Sequence, residues 1–304
     1  MARWRVTEPE RTGRPKVPAT ALVLGGVFGL EGGAAIAATI IPTAGIAGTV
    51  MLRLGLGSAG LLGLGRPSLR RLDRRAALLV LAVGALLAAH HLLFYTAIHR
   101  LPLGVAVTLE FVGPLTVALA GSRRRVDLFW ALLAGAGVAA AAGIAGGGDL
   151  GLTGIMCGLG AGACWAGYIV VFPRLAVCLG RADGLSLATG CAAVLTVPFW
   201  LANDPGRIFT PRILLLGAAV ALLSDVLSYS LQSEALGRMP GSLFSILTST
   251  EPAAGALIGL VALGQQISPA QWAGMLAVVA ASAGATITRT PHSRRGEMAG
   301  DRPD

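Results

Sequence analysis

Apolar residues in this chain come in long blocks, not in the period-two alternation of a half-buried strand or the one-sided stripe of a soluble amphipathic helix. About ten blocks approach the twenty or so residues that span a bilayer, and they predict helices over roughly 18–41, 44–64, 76–98, 102–121, 127–146, 152–173, 184–202, 212–236, 240–262 and 268–288. Polar residues gather in short connections between the blocks, so almost nothing is left for a soluble domain. Whatever the chain does, it does inside a helix bundle.

The informative positions are the few polar ones that interrupt a block. From Leu101 to Gly121 the chain is membrane-length and apolar, yet it carries Glu110, Gly113 and Pro114 close together near its middle. An ionised carboxylate at the centre of a bilayer costs roughly 2.5–3.5 kcal/mol on insertion scales, so it faces protein or a wet cavity. Pro114 lacks the backbone donor that would bond the carbonyl of Glu110, which loosens the helix beside its acid.

Composition changes the picture from helical to membrane-embedded. Of 304 residues, 54% are hydrophobic and 13% charged, with 43 glycines, whereas soluble domains carry about 25% charge. Blocks this long also exclude an outer-membrane barrel, whose strands read as segments of about ten alternating residues. The net charge of +9 suggests nucleic acid until the arginines are located, because they sit in the short connections, where they set topology. With the N-terminus inside, twenty of the 24 Lys and Arg residues fall on the inner side, Arg100, Arg207 and Arg212 on the outer side, and Arg53 within a helix. Both termini are therefore expected to be cytoplasmic, with residues 1–17 a basic tail and 290–304 a polar one. The first apolar run is too long for a signal-peptide core. Cys157, Cys164, Cys178 and Cys191 lack metal-ligand spacing and read as reduced packing residues.

The chain also repeats. Ala97-Ile98-His99-Arg100-Leu101-Pro102 recurs as Ala235-Leu236-Gly237-Arg238-Met239-Pro240, and at the same offset Gly113-Pro114 meets Glu251-Pro252. Units of five helices, 18–147 and 151–289, follow. An odd number of helices inverts the second unit, so the fold class expected is an all-α integral membrane protein of ten transmembrane helices in two inverted repeats, suited to alternating access. A glycine stripe at Gly154, Gly158, Gly162 and Ala166 lies on one helix face, for close packing or for sliding.

Several segments carry a family likeness: Pro42-x-x-Gly45-x-x-Gly48 with Arg53; Pro102-Leu103-Gly104 through Glu110-Phe111-x-Gly113-Pro114, with Ser122-Arg123-Arg124 and Val126-Asp127; Gly160-Ala161-Gly162-Ala163-Cys164-Trp165-Ala166-x-Tyr168; and Glu251-Pro252. On these residues the chain resembles the drug/metabolite transporter superfamily with two EamA-type repeats, and within it the bacterial threonine/homoserine exporters. The resemblance implies ten helices in a bacterial cytoplasmic membrane and export of small polar metabolites coupled to protons. Three features depart from the family: Gln265 follows Leu263-Gly264 where an acid is common, His90 and His91 replace small or amide residues, and Glu31 replaces an uncharged polar one. Each bears on substrate choice.

A zwitterionic amino acid needs an anion for its ammonium and a cation for its carboxylate, which Glu110 and Arg53 supply. Arg53 has other readings, a permanent pair with Glu110 or Glu251, or snorkelling to the surface. Glu31 and Glu251 are helix-borne acids able to carry a proton, although Glu31 can equally bond neighbouring backbone. Asp225, with Ser224, Ser228 and Gln232, forms a polar face that lines a cavity or bonds a neighbouring helix. Tyr95, Trp165 and Tyr168 wall a pocket or sit at the lipid interface, Trp165 being the deepest. His90 and His91, about 100° apart on a helix, would place only one ring at the centre. Pro114 and Pro252 are expected to kink their helices.

No Gly-x-Ser-x-Gly elbow, His-Glu-x-x-His pair or Gly-x4-Gly-Lys-Ser/Thr loop occurs, so neither an intramembrane enzyme nor an ATP-driven pump is favoured. No cofactor and no metal are expected. The partners expected are a small polar metabolite or amino acid, protons and the bilayer, with no nucleic acid. A broader drug or dye exporter is the rival within transport, and a non-transporting membrane partner the rival outside it.

Overall fold

The computed structural model describes residues 17–65, 72–120, 124–142, 151–203 and 205–289. Residues 1–16 and 290–304 of the two tails, together with Arg66, Arg70, Arg71, Arg123 and the end of the fifth expected helix, lie outside the described residues. Within them the chain is helical and contains no strand: α1 (Ala19–Gly65), α2 (Arg74–Arg100), α3 (Leu103–Leu119), α4 (Arg125–Ala141), α5 (Leu152–Leu179), α6 (Arg181–Leu201), a 3₁₀ turn (Pro205–Phe209), α7 (Pro211–Ala221), a π-helical segment (Leu222–Leu227), α8 (Ser228–Leu236), α9 (Gly241–Thr248), α10 (Glu251–Leu263) and α11 (Pro269–Arg289).

Local chemistry sets the ends. Asp73 accepts from the Ala76 amide at 2.7 Å to start α2. Ser268 and Gln271 bond each other's backbone amides at 3.2 and 2.9 Å, a capping box that starts α11. Gly45 breaks α1 at φ 71°, ψ 165°, a conformation open to glycine and costly for other residues. The break lies three residues beyond Pro42, slightly later than the sequence suggests. Gly180, at φ 86°, is all that separates α5 from α6, because α5 runs through Pro173 to Leu179 and absorbs the expected loop.

Among the described residues, seven helical stretches are long and apolar enough to cross a membrane: Ala19–Gly63, Arg74–Arg100, Leu152–Leu179, Arg181–Leu201, Pro211–Leu236, Gly241–Leu263 and Pro269–Thr288, with Leu103–Leu119 a shorter apolar helix. Their outer faces are apolar. Val177 is 87% exposed and Val261 84%, a surface suited to lipid and ruinous in water.

Inside, small residues bring backbones together. A Cβ at Gly113 would overlap the Gly162 carbonyl, and one at Gly162 would come 2.6 Å from the Glu110 carbonyl, so α3 lies directly on α5. The stripe foreseen on α5 is the surface that makes this contact: Gly154 packs on Leu101 and Gly158 on Leu109. Gly104 meets Ala256 where α3 crosses α10, and Gly26, Gly29 and Gly33 of α1 receive Gln232, Ser228 and Ser224. Close approach of this kind holds helices together where lipid offers no hydrophobic drive.

Candidate functional site

Between α1, α2, α3, α5, α8 and α10 lies a cavity of about 220 Å³. Glu31, Arg53, Glu110, Trp165, Tyr168, Asp225 and Glu251 all line it, as does Pro114. They come from five separate elements, α1, α3, α5, the π-helical segment and α10, and a membrane interior offers their charges few other places to go.

Arg53 has a partner that sequence reasoning did not pair with it. Its Nε and Nη2 donate to Oδ1 of Asp225 at 3.1 and 3.0 Å, and Nη1 reaches the Tyr95 hydroxyl at 3.4 Å. The alternative readings of Arg53, a permanent pair with Glu110 or Glu251 or snorkelling to the surface, are therefore corrected: the arginine is buried and anchored to the eighth helical block. A guanidinium has five N–H donors, and two of Arg53's point elsewhere than these acceptors. Tyr95 is fully buried and does not line the cavity, so its contribution is to orient Arg53.

Asp225 is placed by a register shift. Leu222–Leu227 forms a π turn in which the Ser228 amide bonds the Leu223 carbonyl, and Ser228 Oγ donates to the same carbonyl at 2.7 Å. The widened turn rotates Asp225 toward Arg53. Such bulges collect at functional sites, and the polar spacing of Ser224, Asp225 and Ser228 was its one visible trace.

Glu110 is held by His90, whose Nε2 lies 2.6 Å from Oε1. The neighbours assign the protons. His91 Nδ1 faces the Leu87 carbonyl at 2.7 Å, and a carbonyl only accepts, so Nδ1 of His91 carries hydrogen. His90 Nδ1 stands 3.4 Å from it, and Nε2–H of His90 donates to the Glu110 carboxylate. Both histidines line the cavity, contrary to the expectation that only one ring would face the centre. They converge because their rings pack edge to face, with centroids 4.9 Å apart, so the 100° between their Cα–Cβ bonds is closed by side-chain reach.

The remaining acids sit on α1 and α10. Glu31 is 3% exposed and its Oε2 has no hydrogen-bond partner. Glu251 opens α10 after α9 stops at Thr248, with Ser249 and Thr250 bonding back to Ile246 and Leu247. Pro252 is thus in the first turn of a new helix, where its missing N–H costs nothing, and the expected kink is instead a break. Pro114 lies within a continuous α3, and the Glu110 carbonyl it frees rests against Gly162. An aromatic wall completes the cavity: Trp165 stacks on Tyr168 at 5.2 Å and 19°, and His90 tilts against Trp165 at 5.1 Å. Gln265, foreseen only as a missing acid, accepts from the Leu103 amide at 2.9 Å and ties α10 to the start of α3.

Comparison with known proteins decides the family. The EamA-like transporter family matches residues 152–287. The threonine/homoserine exporter RhtA of Escherichia coli strain K12 is 38% identical over 280 residues, covering 91% of this chain and 94% of that protein. The chain belongs to the EamA-like transporter family. Similarity continues with RhtA of Salmonella typhimurium strain LT2, 39% identical over 85% of this chain and 88% of that one, and with the uncharacterized transporter YwfM of Bacillus subtilis, 27% identical over 41% and 42%. A crystal structure 20% identical to this EamA-like transporter shares its fold, at a TM-score of 0.61 over 93% of this chain and 99% of that one. An EamA-like protein moves solutes and does not transform them, so the buried charges belong to a transporter and not to an enzyme.

Proposed function

We propose that this chain is a secondary exporter of small amino acids, working by alternating access and drawing on the proton gradient across a bacterial cytoplasmic membrane. Its relatives named threonine/homoserine exporters support that substrate class. The observation that carries the reading is the cavity itself, which gathers Arg53, Glu110 and Glu251 between otherwise apolar helices. Arg53 offers its undirected N–H groups to a carboxylate, while Glu110 accepts an ammonium or a proton in place of the His90 N–H.

The proposed topology is ten passes in two inverted five-helix repeats, 18–147 and 151–289, with both termini cytoplasmic. At 1.5 Å per residue, α1 with its 47 residues would be about 70 Å long, more than twice the roughly 30 Å hydrocarbon core. Folded back at Gly45 it supplies two passes. α7 to α8 and α9 to α10 supply one each. Packing supports the symmetry: α2 rests on α5, and their counterparts in the other units, α8 and the first part of α1, rest on each other. A transmembrane helix broken beside the site, as between α9 and α10, is common in transporters built this way.

Growth in toxic homoserine tests the reading. A sensitive bacterial strain expressing the protein is expected to tolerate several-fold more homoserine than the same strain with an empty vector. Glu110→Gln, made to equal membrane levels, is expected to return tolerance to the vector level. Undiminished tolerance would remove Glu110 from the transport site.

A further inference from the structure

A zwitterion needs one cation and one anion from its site, yet the cavity offers four carboxylates, Glu31, Glu110, Asp225 and Glu251, to a single arginine. Arg53 and Asp225 neutralise each other at 3.0 Å, and Glu110 is bonded to His90 at 2.6 Å. That leaves Glu31 and Glu251 in excess of what threonine or homoserine requires. Glu31 is the telling one. It is 3% exposed, it lines the cavity, and Oε2 has no partner, an arrangement that a buried acid keeps only at a cost unless something supplies hydrogen or charge.

Its direction is also defined. A Cβ on Gly255 would lie 3.0 Å from Glu31 Oε2, and Gly255 is one helical turn beyond Glu251, so both acids address the same face of α10. Glycine at 255 keeps that space open. Independently of the acids, Trp165 and Tyr168 present stacked rings to the cavity, and aromatic faces attract cations.

Resting on the exporter reading above, we propose that the cavity prefers amino acids with a second ammonium group, the diamino monocarboxylic acids. The α-carboxylate meets Arg53 and the α-ammonium meets Glu110, while the side-chain ammonium is received by Glu31 and Glu251. Threonine and homoserine are then carried as poorer substrates, with the second ammonium site filled by protons alone.

The test uses the full chain in liposomes, with radiolabelled lysine, ornithine, threonine and homoserine measured by counterflow. Lysine or ornithine is expected to move with kcat/KM about tenfold or more above threonine, the worth of one charge-assisted hydrogen bond. Glu31→Gln is expected to raise the lysine KM by a similar factor and the threonine KM by much less, because only lysine places an ammonium on Glu31. Transport of threonine without lysine overturns the proposal, as does a Glu31→Gln variant that loses both substrates equally, which would make Glu31 a proton carrier only. If neither class moves, the exporter reading itself fails. The wild-type panel decides even where the variant does not fold.

Discussion

Arg53→Gln is expected to lower stability by about 3–5 kcal/mol and to abolish transport, because it strands a carboxylate in the middle of the bundle. The wild-type guanidinium gives two hydrogen bonds to one oxygen of Asp225 and is steadied by Tyr95. Removing it leaves Asp225 with no cation, at a side-chain exposure of 17%. Adding Asp225→Asn to make a double variant removes the stranded charge and is expected to restore most of the melting temperature, since paired neutral groups approach the stability of a buried ion pair. Transport is not expected to return, because the substrate carboxylate has lost its cation. Thermal unfolding in detergent, read alongside flux, separates the two effects. A single Arg53→Gln variant with wild-type stability would show that the ion pair does not hold the fold.

The second large effect is steric. Gly113→Ala places a methyl group on the Gly162 carbonyl, a backbone atom that cannot rotate aside. The helices α3 and α5 must separate, at a cost of about 1–3 kcal/mol or more for overpacking, and Glu110 moves off His90 as α3 shifts. Loss of monodisperse protein on size exclusion is the expected result. Gly135→Ala is the control, because a Cβ there meets nothing within 4 Å and alanine is the better helix former. Similar behaviour of the two variants would contradict the close approach of α3 to α5.

The blocks of apolar sequence gave the bundle away, since a run of membrane length with Glu110 in its middle can hide that acid only among other helices. For the same reason Glu31, Arg53, Asp225 and Glu251 could be singled out one by one, and the structure brings all of them to one cavity. The break near Pro42 was legible, although it falls at Gly45, whereas the break at Gly180 was not, because a loop after 173 was expected and α5 runs on to Leu179. Partner choice was not legible. Arg53 and Asp225 are 172 positions apart, and which acid meets the arginine depends on how each helix is rotated and on the π turn that resets Asp225. The break before Glu251 and the tie from Gln265 to Leu103 likewise depend on packing between segments distant in sequence. His90 and His91 show the limit of helical-wheel reasoning, because a cavity between several helices can receive two neighbouring side chains at once.

The central claim is that the buried charges form a substrate site that proton movement drives. Flux of radiolabelled threonine and lysine into liposomes carrying the full chain, with and without an imposed pH gradient, tests it most directly. The account predicts that the wild-type protein accumulates at least one of these amino acids several-fold above equilibrium only when the gradient is present, and that Glu110→Gln abolishes the accumulation. Equal flux with and without the gradient, or a Glu110→Gln protein that accumulates substrate as the wild type does, would contradict it.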